Sequence, residues 1–193
     1  MKNDLNIELC LRKFVAPEYI FGIDARKLAA NYCKKLACEK VLLVSDKGLR
    51  KTPLLSELEL LLQQEEISYV IYDDVSPNPR DYEVMKGAEV YKHNKCNIIL
   101  ALGGGSVLDC AKGIGIVATN FKDIAFFEGI DKIGKPIPPL ICLPTTAGSS
   151  ADVSQFAIIN NTKEKYKMAI ISKALVPDVS LIDPVALLYM DSY

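Results

Sequence analysis

The sequence predicts an α/β fold, a parallel sheet with flanking helices laid out in a Rossmann-like plan, with a hairpin at the N-terminal edge. Three observations carry this. Short apolar runs alternate with longer amphipathic stretches, the order that builds strand, helix, strand units. The runs at Val41–Val44, Ile98–Leu102 and Leu140–Leu143 are continuously apolar, as in strands covered on both faces. Each of those runs ends in a turn of glycine, hydroxyl or aspartate residues, where a sheet of this kind places its ligand.

Residues 9–15 and 19–21 read as the arms of an edge hairpin interrupted by Ala16-Pro17-Glu18, and Ala25 to Leu36 as a first helix. Val41 to Ser45 is the next strand. Leu54 to Gln64 follows as a helix with Leu54, Leu55, Leu58, Leu61 and Leu62 on one stripe, too short a repeat for a zipper and therefore core. Tyr69 to Tyr72 is a strand, and Pro77-Asn78-Pro79 opens a turn because each proline disfavours a helical residue before it. Arg80 to Asn94 is a helix with Val84, Ala88 and Tyr91 inward. Ile98 to Leu102 leads through Gly103-Gly104-Gly105 into a largely buried helix marked by Val107, Leu108, Ala111, Ile114 and Ile116. Lys132 to Pro139 is a proline-rich surface loop delivering the chain to the strand at Leu140. Phe156–Ile159 and Lys167–Ile171 form a two-stranded excursion around Asn160-Asn161-Thr162-Lys163. Val179 to Ile182 is the last strand, ended by Pro184.

Composition bounds the function. The chain has 193 residues, half of them hydrophobic, enough for one domain, residues 1–193, with a substantial core. With 23 basic and 24 acidic residues the net charge is −1, which argues against nucleic acid or an anionic membrane as partner. The polar start Met1-Lys2-Asn3-Asp4-Leu5-Asn6 leads to no long apolar core, so neither a secretory signal nor a membrane span is expected, and a cytoplasmic location is. Six cysteines at irregular spacings, most among apolar residues, read as reduced core thiols, and without a C-x-x-C pair a structural zinc site is unsupported. Cys110 follows Asp109 at a helix start, where the dipole would lower an exposed thiol's pKa; packing is the favoured role.

The turn Gly103-Gly104-Gly105-Ser106 has the make-up of a phosphate cradle. Glycines let a backbone approach a diphosphate, and the first amide groups of the following helix, with the positive end of its dipole, face the anion. A tight strand-to-helix turn without ligand is the plain alternative, since the spacing matches neither G-x-G-x-x-G nor a P-loop. Two further turns point the same way: Pro144-Thr145-Thr146-Ala147-Gly148-Ser149, rich in hydroxyl donors, and Ser45-Asp46-Lys47-Gly48, which sets a carboxylate where a ribose diol is commonly held. Asp46 is alternatively a turn cap.

These segments resemble the iron-containing (group III) alcohol dehydrogenase family, whose marks are G-G-G-S-x-x-D-x-A-K, matched by Gly103 to Lys112, and P-T-T-A-G, matched by Pro144 to Gly148. Phe14 to Glu18 with Phe21-Gly22, Ser76 to Pro79, and Pro177-Asp178 with Leu181 to Pro184 extend the resemblance over almost the whole chain. The wording of Ser149 to Phe156 and Asp109 to Gly115 is most similar to the ErcA-like subgroup, relatives linked to regulation of ethanol oxidation.

The resemblance implies an NAD-binding half of an alcohol dehydrogenase. Gly104, Gly105 and Ser106 would hold the pyrophosphate, with Gly103 also among the cofactor-binding residues, and Asp46 the adenosine ribose, its charge favouring NAD over NADP. Thr145, Thr146 and Ser149 match hydroxyl positions that contact the cofactor, and Lys167 a lysine that reaches the adenosine ribose, with Lys163 and Lys165 close by. Asp109 lies in the family near the nicotinamide and substrate end, or is a helix-dipole partner, or both; Lys112 fits the motif or caps packing at the domain interface, and ranks below these. Asp152 replaces the family's usual glutamate.

The family's metal, Fe2+ or Zn2+, sits on one aspartate and three histidines of an all-helical C-terminal domain that follows the segment matching Asp183-Pro184. The single histidine, His93, reads as solvated, and Asp191 lacks the family motif around it, so neither a metal ligand nor a catalytic residue is expected in this chain. Alone it is expected to be inactive, with an alcohol or aldehyde as substrate of the complete enzyme and the metal domain and a second copy of the chain as partners. The alternative is a non-catalytic NAD-binding or regulatory module.

Overall fold

The structure, a computed structural model, describes residues 15–189. Its centre is a six-stranded sheet in the order β1-β9-β6-β4-β2-β3, parallel throughout. These strands are β1 (Glu18–Phe21), β2 (Lys40–Val44), β3 (Ser68–Tyr72), β4 (Ile98–Gly103), β6 (Leu140–Pro144) and β9 (Val179–Ile182). The helices are α1 (Ala29–Lys35), α2 (Pro53–Gln64), α3 (Asp81–His93) and α4 (Gly105–Asn120). A smaller sheet joins β5 (Gly129–Ile130), β8 (Tyr166–Ile171) and β7 (Phe156–Asn161), with β7 and β8 antiparallel as expected of the excursion.

The continuous apolar runs are explained by two cores, one on each face of the sheet. Leu42, Val44, Ile99, Ala101, Leu140 and Cys142 pack toward α3 and α4. Their neighbours Val41, Leu43, Ile98, Leu100, Ile141 and Leu143 pack toward α1 and α2. Alternation therefore exists along each strand, but between two apolar environments. The leucine stripe of α2 is core, with Leu54, Leu55, Leu58 and Leu62 buried and Leu61 partly so.

Several boundaries depart from expectation. The first helix splits into a 3-10 turn, Ala25–Leu28, and α1, because Arg26 in that turn is drawn into ion pairs with Asp24, Glu57 and Asp183. Arg80 caps α3 rather than opening it: the Glu83 carboxylate accepts its backbone N–H at 2.9 Å. The two-residue β5 was not expected, being too short for a periodicity to show. Of the expected hairpin, the second arm is β1, whose parallel neighbour is β9; its other arm falls, apart from Val15, outside the described residues, as do Cys10 and Asp191.

Helices α1, α2 and α3 end alike. Ala37, Glu66 and Lys95 adopt positive φ of 55°, 56° and 54°, and the following residue donates its N–H back to the helix: Cys38 to Cys33, Ile67 to Leu62 and Cys96 to Tyr91, at 2.8–3.0 Å.

Chain order places the site. From β2 the chain moves outward to β3, then returns to lay β4 on the opposite flank of β2. The carboxyl ends of β2 and β4 thus bracket the point where strand order reverses, the usual ligand crevice of such sheets.

Candidate functional site

At that point lies an open cleft of about 690 Å³, lined by Asp46, Gly104, Gly105, Ser106, Thr145 and Thr146, together with Lys47, Gly48, Val75, Ser76, Pro77 and Val107. Three strand ends meet there, as the sequence suggested. Thr145 donates its N–H to the Gly103 carbonyl at 3.0 Å, and Ser45 its hydroxyl to Leu102 O at 2.9 Å, so β2, β4 and β6 are laced together at the cleft floor.

Gly104 caps α4, its carbonyl accepting from Val107 and Leu108. Gly105 and Ser106 are the first two residues of that helix, whose amides have no carbonyl within the helix to bond. Close approach favours glycine here. A Cβ at Gly104 would lie 3.1 Å from Thr146 Oγ1 and Cγ2, and one at Gly105 only 2.7 Å from Ser149 Cβ. Gly103 lies beneath the cleft, where a Cβ would strike Val107 at 2.5 Å.

Asp46 stands at the cleft and also caps the turn after β2, its Oδ1 accepting the Leu49 N–H at 2.9 Å. The turn-cap reading is met, and the carboxylate keeps a second oxygen beyond that bond. Beside it Lys47 and Lys86 bracket Asp74 at 2.7 and 2.5 Å and hold its carboxyl down at about 2.

The remaining candidates stand at the rim or behind it. Ser149 is exposed against Gly105. Lys167 does not line the cleft but donates to Asn78 Oδ1 at 2.6 Å, and the Asn78 N–H in turn donates to Ser106 Oγ at 3.0 Å. Asn78 is the connecting residue that the site reading omitted. Its signal was an asparagine between two prolines, and it adopts a left-handed φ of 56°. Its carbonyl accepts from Asn160 Nδ2 at 2.9 Å, joining the β7–β8 excursion to the cradle.

Lys112 is more than a packing residue. It is fully buried, and its Nζ donates to Ser154 O at 2.7 Å, to Ser154 Oγ at 3.3 Å and to Phe156 O at 2.9 Å. Burial lowers its pKa, opposed by Cys142, Asp109 and Asp152. One turn before it, Asp109 accepts the Ile158 N–H at 3.2 Å, and burial raises its carboxyl to about 6 against the pull of Lys112. Helix α4 thus grips with its second turn the segment leading from the threonine turn into β7.

Cys33, Cys96, Cys110 and Cys142 are buried, and burial pushes the Cys142 thiol up to about 12. His93 is exposed on α3. Among the described residues no group of three or more histidine, cysteine, aspartate or glutamate side chains is arranged to hold a metal ion, and no helix is long and apolar enough to cross a membrane.

Known proteins share this sequence and fold over most of the chain. Residues 16–184 match the iron-containing alcohol dehydrogenase family. A 1,3-propanediol dehydrogenase of Citrobacter freundii is 41% identical over 170 residues, 87% of this chain and 44% of that protein. The crystal structure of a 1,3-propanediol oxidoreductase superposes with a TM-score of 0.90 at 37% identity, over 93% of this chain and 47% of the other. An NADH-dependent butanol dehydrogenase A of Thermotoga maritima superposes at 0.86, with 30% identity, over 94% and 46%. The chain therefore spans about half the length of the relatives it matches.

Proposed function

The chain belongs to the iron-containing alcohol dehydrogenase family, and from that premise we propose that it is the NAD-binding half of an alcohol dehydrogenase, with the cleft at the strand reversal as the cofactor's seat. The single observation that carries this is the cradle at Gly104 and Gly105, closed so tightly by Thr146 and Ser149 that a methyl group would fill it. When bound, NAD supplies the acceptor for a hydride leaving the alcohol carbon.

Gly103 lets Val107 close under the cradle, and the Gly104, Gly105 and Ser106 backbone together with the α4 dipole meets the diphosphate. Ser106 Oγ already accepts from Asn78, which leaves its own O–H to donate toward that anion. The free oxygen of Asp46 accepts from the adenosine ribose, and its charge opposes a 2′-phosphate, favouring NAD over NADP. Thr145 and Thr146 offer hydroxyls from the cleft lining, Ser149 offers one from beside Gly105, and Lys167 acts from the rim through Asn78. Asp109 braces the nicotinamide side through Ile158. The described residues do not fit the family's metal, so no catalytic step is assigned to them.

The sequence wording supports placement beside the ErcA-like subgroup, and the buried free thiols support a reducing, cytoplasmic location. Self-association is supported by edge strand β1 and the turn after it, where Tyr19, Phe21 and Ile23 are 53%, 70% and 76% exposed.

The test is calorimetric titration of the purified chain with NAD and, separately, NADP. NAD is expected to bind more tightly than NADP, Gly104→Val to abolish binding, and Asp46→Ala to narrow the difference between the two cofactors. A folded chain that binds neither refutes the reading.

A further inference from the structure

At the end of β2 remote from Asp46 lies a feature the cofactor site does not use. In the turn that closes α1, α2 and α3, the third residue from the helix end and the second residue past the cap bring their side chains together. Helix α2 places Leu62 and Ile67 there, and α3 places Tyr91 and Cys96. Helix α1 places two cysteines, Cys33 and Cys38.

Their proximity is imposed by the backbone. Cys38 N–H donates to Cys33 O at 3.0 Å, and Ala37 N–H to Lys34 O at 3.1 Å. Asn97 pins the turn from the other side: its Oδ1 accepts from Glu39 N–H at 2.9 Å and Lys40 N–H at 3.1 Å, and its Nδ2 donates to Ala37 O at 2.9 Å. That turn sets the two thiols beside each other. They differ in access, Cys33 being fully buried and Cys38 partly exposed.

We propose that Cys33 and Cys38 form an oxidant-sensitive dithiol, a modification site at which a hydroperoxide is reduced and a disulfide closes across the end of α1. Cys38 is the thiol that reacts first, because solvent reaches it while Cys33 is buried, and the neighbouring Cys33 thiol lowers its pKa. Its thiolate attacks the terminal peroxide oxygen, the O–O bond breaks, the alcohol or water leaves, and Cys38 becomes a sulfenic acid. Cys33, buried beside it, then attacks the Cys38 sulfur as its proton passes to the sulfenic oxygen. The S–S bond forms, the S–O bond breaks, and the departing oxygen takes the Cys33 proton as water. Two thiols and one hydroperoxide become one disulfide, one alcohol (water when the oxidant is hydrogen peroxide) and one water. The backbone bond between the two residues holds them within the reach a disulfide needs.

The experiment treats the chain with equimolar hydrogen peroxide, alkylates the remaining thiols and digests with trypsin. Lys34 and Lys35 lie between the two cysteines, so they separate into peptides 28–34 and 36–40 unless a disulfide joins them. The joined peptide is expected to dominate after oxidation and to vanish with dithiothreitol. Cys33→Ala is expected to leave a sulfenic acid at Cys38 that dimedone captures, and Cys96→Ser to change nothing. Before oxidation, Cys38 is expected to alkylate roughly tenfold or more faster than Cys96, whose thiol burial holds at about 11. Cys38 found joined to Cys96, or oxidation with peptides 28–34 and 36–40 unjoined, overturns the proposal. The cross-link measurement uses the unmodified chain, so it decides even where a variant fails to fold.

Discussion

Replacing Asp109 with asparagine should change how stability depends on pH, and the sign follows from where its carboxyl sits. Burial raises it to about 6, above the ordinary 3.8, so the folded chain binds this proton more tightly than the unfolded one. Stability from this group is complete below the unfolded value and is lost as pH rises from about 4 to about 6. Two powers of ten in proton affinity correspond to roughly 3 kcal/mol, a ceiling because the side chain keeps some water contact; about 1–3 kcal/mol is expected. Asp24 and Asp74, held low by lysine and arginine neighbours, pull the whole-protein curve the opposite way. The informative quantity is therefore the difference between Asp109→Asn and the parent. Urea unfolding at constant ionic strength from pH 4 to 7.5 should show the variant gaining on the parent through that window. An asparagine oxygen still accepts from Ile158, so the change isolates the charge. Parallel stability curves would refute the argument that α4 carries a desolvated carboxyl here.

Gly105→Ala sets a methyl 2.7 Å from Ser149 Cβ and should weaken NAD binding by roughly tenfold or more, about 1.4 kcal/mol, as read by calorimetry; undiminished affinity would show that the threonine turn yields freely. Arg26→Met strips the guanidinium from Asp183, whose side chain is 2% exposed, and should cost about 3 kcal/mol in denaturant unfolding, with part restored by adding Asp183→Asn. Lys112→Met keeps the apolar stem but leaves the Ser154 and Phe156 carbonyls without their donor, so a loss of about 2–4 kcal/mol is expected, with NAD affinity falling too; a change below about 0.5 kcal/mol would show that water replaces the ammonium.

What the sequence disclosed and what it withheld divide along a physical line. Strands β2, β4 and β6 were legible because burial on both faces demands unbroken apolar runs, and Gly103 to Gly105 because glycine suits the close approach of Val107, Thr146 and Ser149. Lys112 read as a packing residue because its three acceptors lie some forty positions away, brought near only by the fold. Asn78 was hidden likewise: its partners Ser106, Asn160 and Lys167 belong to three separate elements. Boundaries moved where a tertiary ion pair, as at Arg26, outweighed helix propensity.

The pairing of β1 with β9 has a consequence for how the chain reaches this structure. Glu18 finds its neighbour Val179 across nearly the whole sequence, whereas β2 and β3 meet after a 3-10 turn and α2. Closing so long a loop carries an entropic cost that local pairing avoids, so β2, β3, β4 and β6 have the advantage in time. During synthesis β1 emerges early and stays unpaired until Ile182 has left the ribosome, with the apolar faces of Tyr19 and Phe21 open to other nascent chains. The edge of the sheet is thus the last part to be secured and the first at which a slow translation step would favour aggregation.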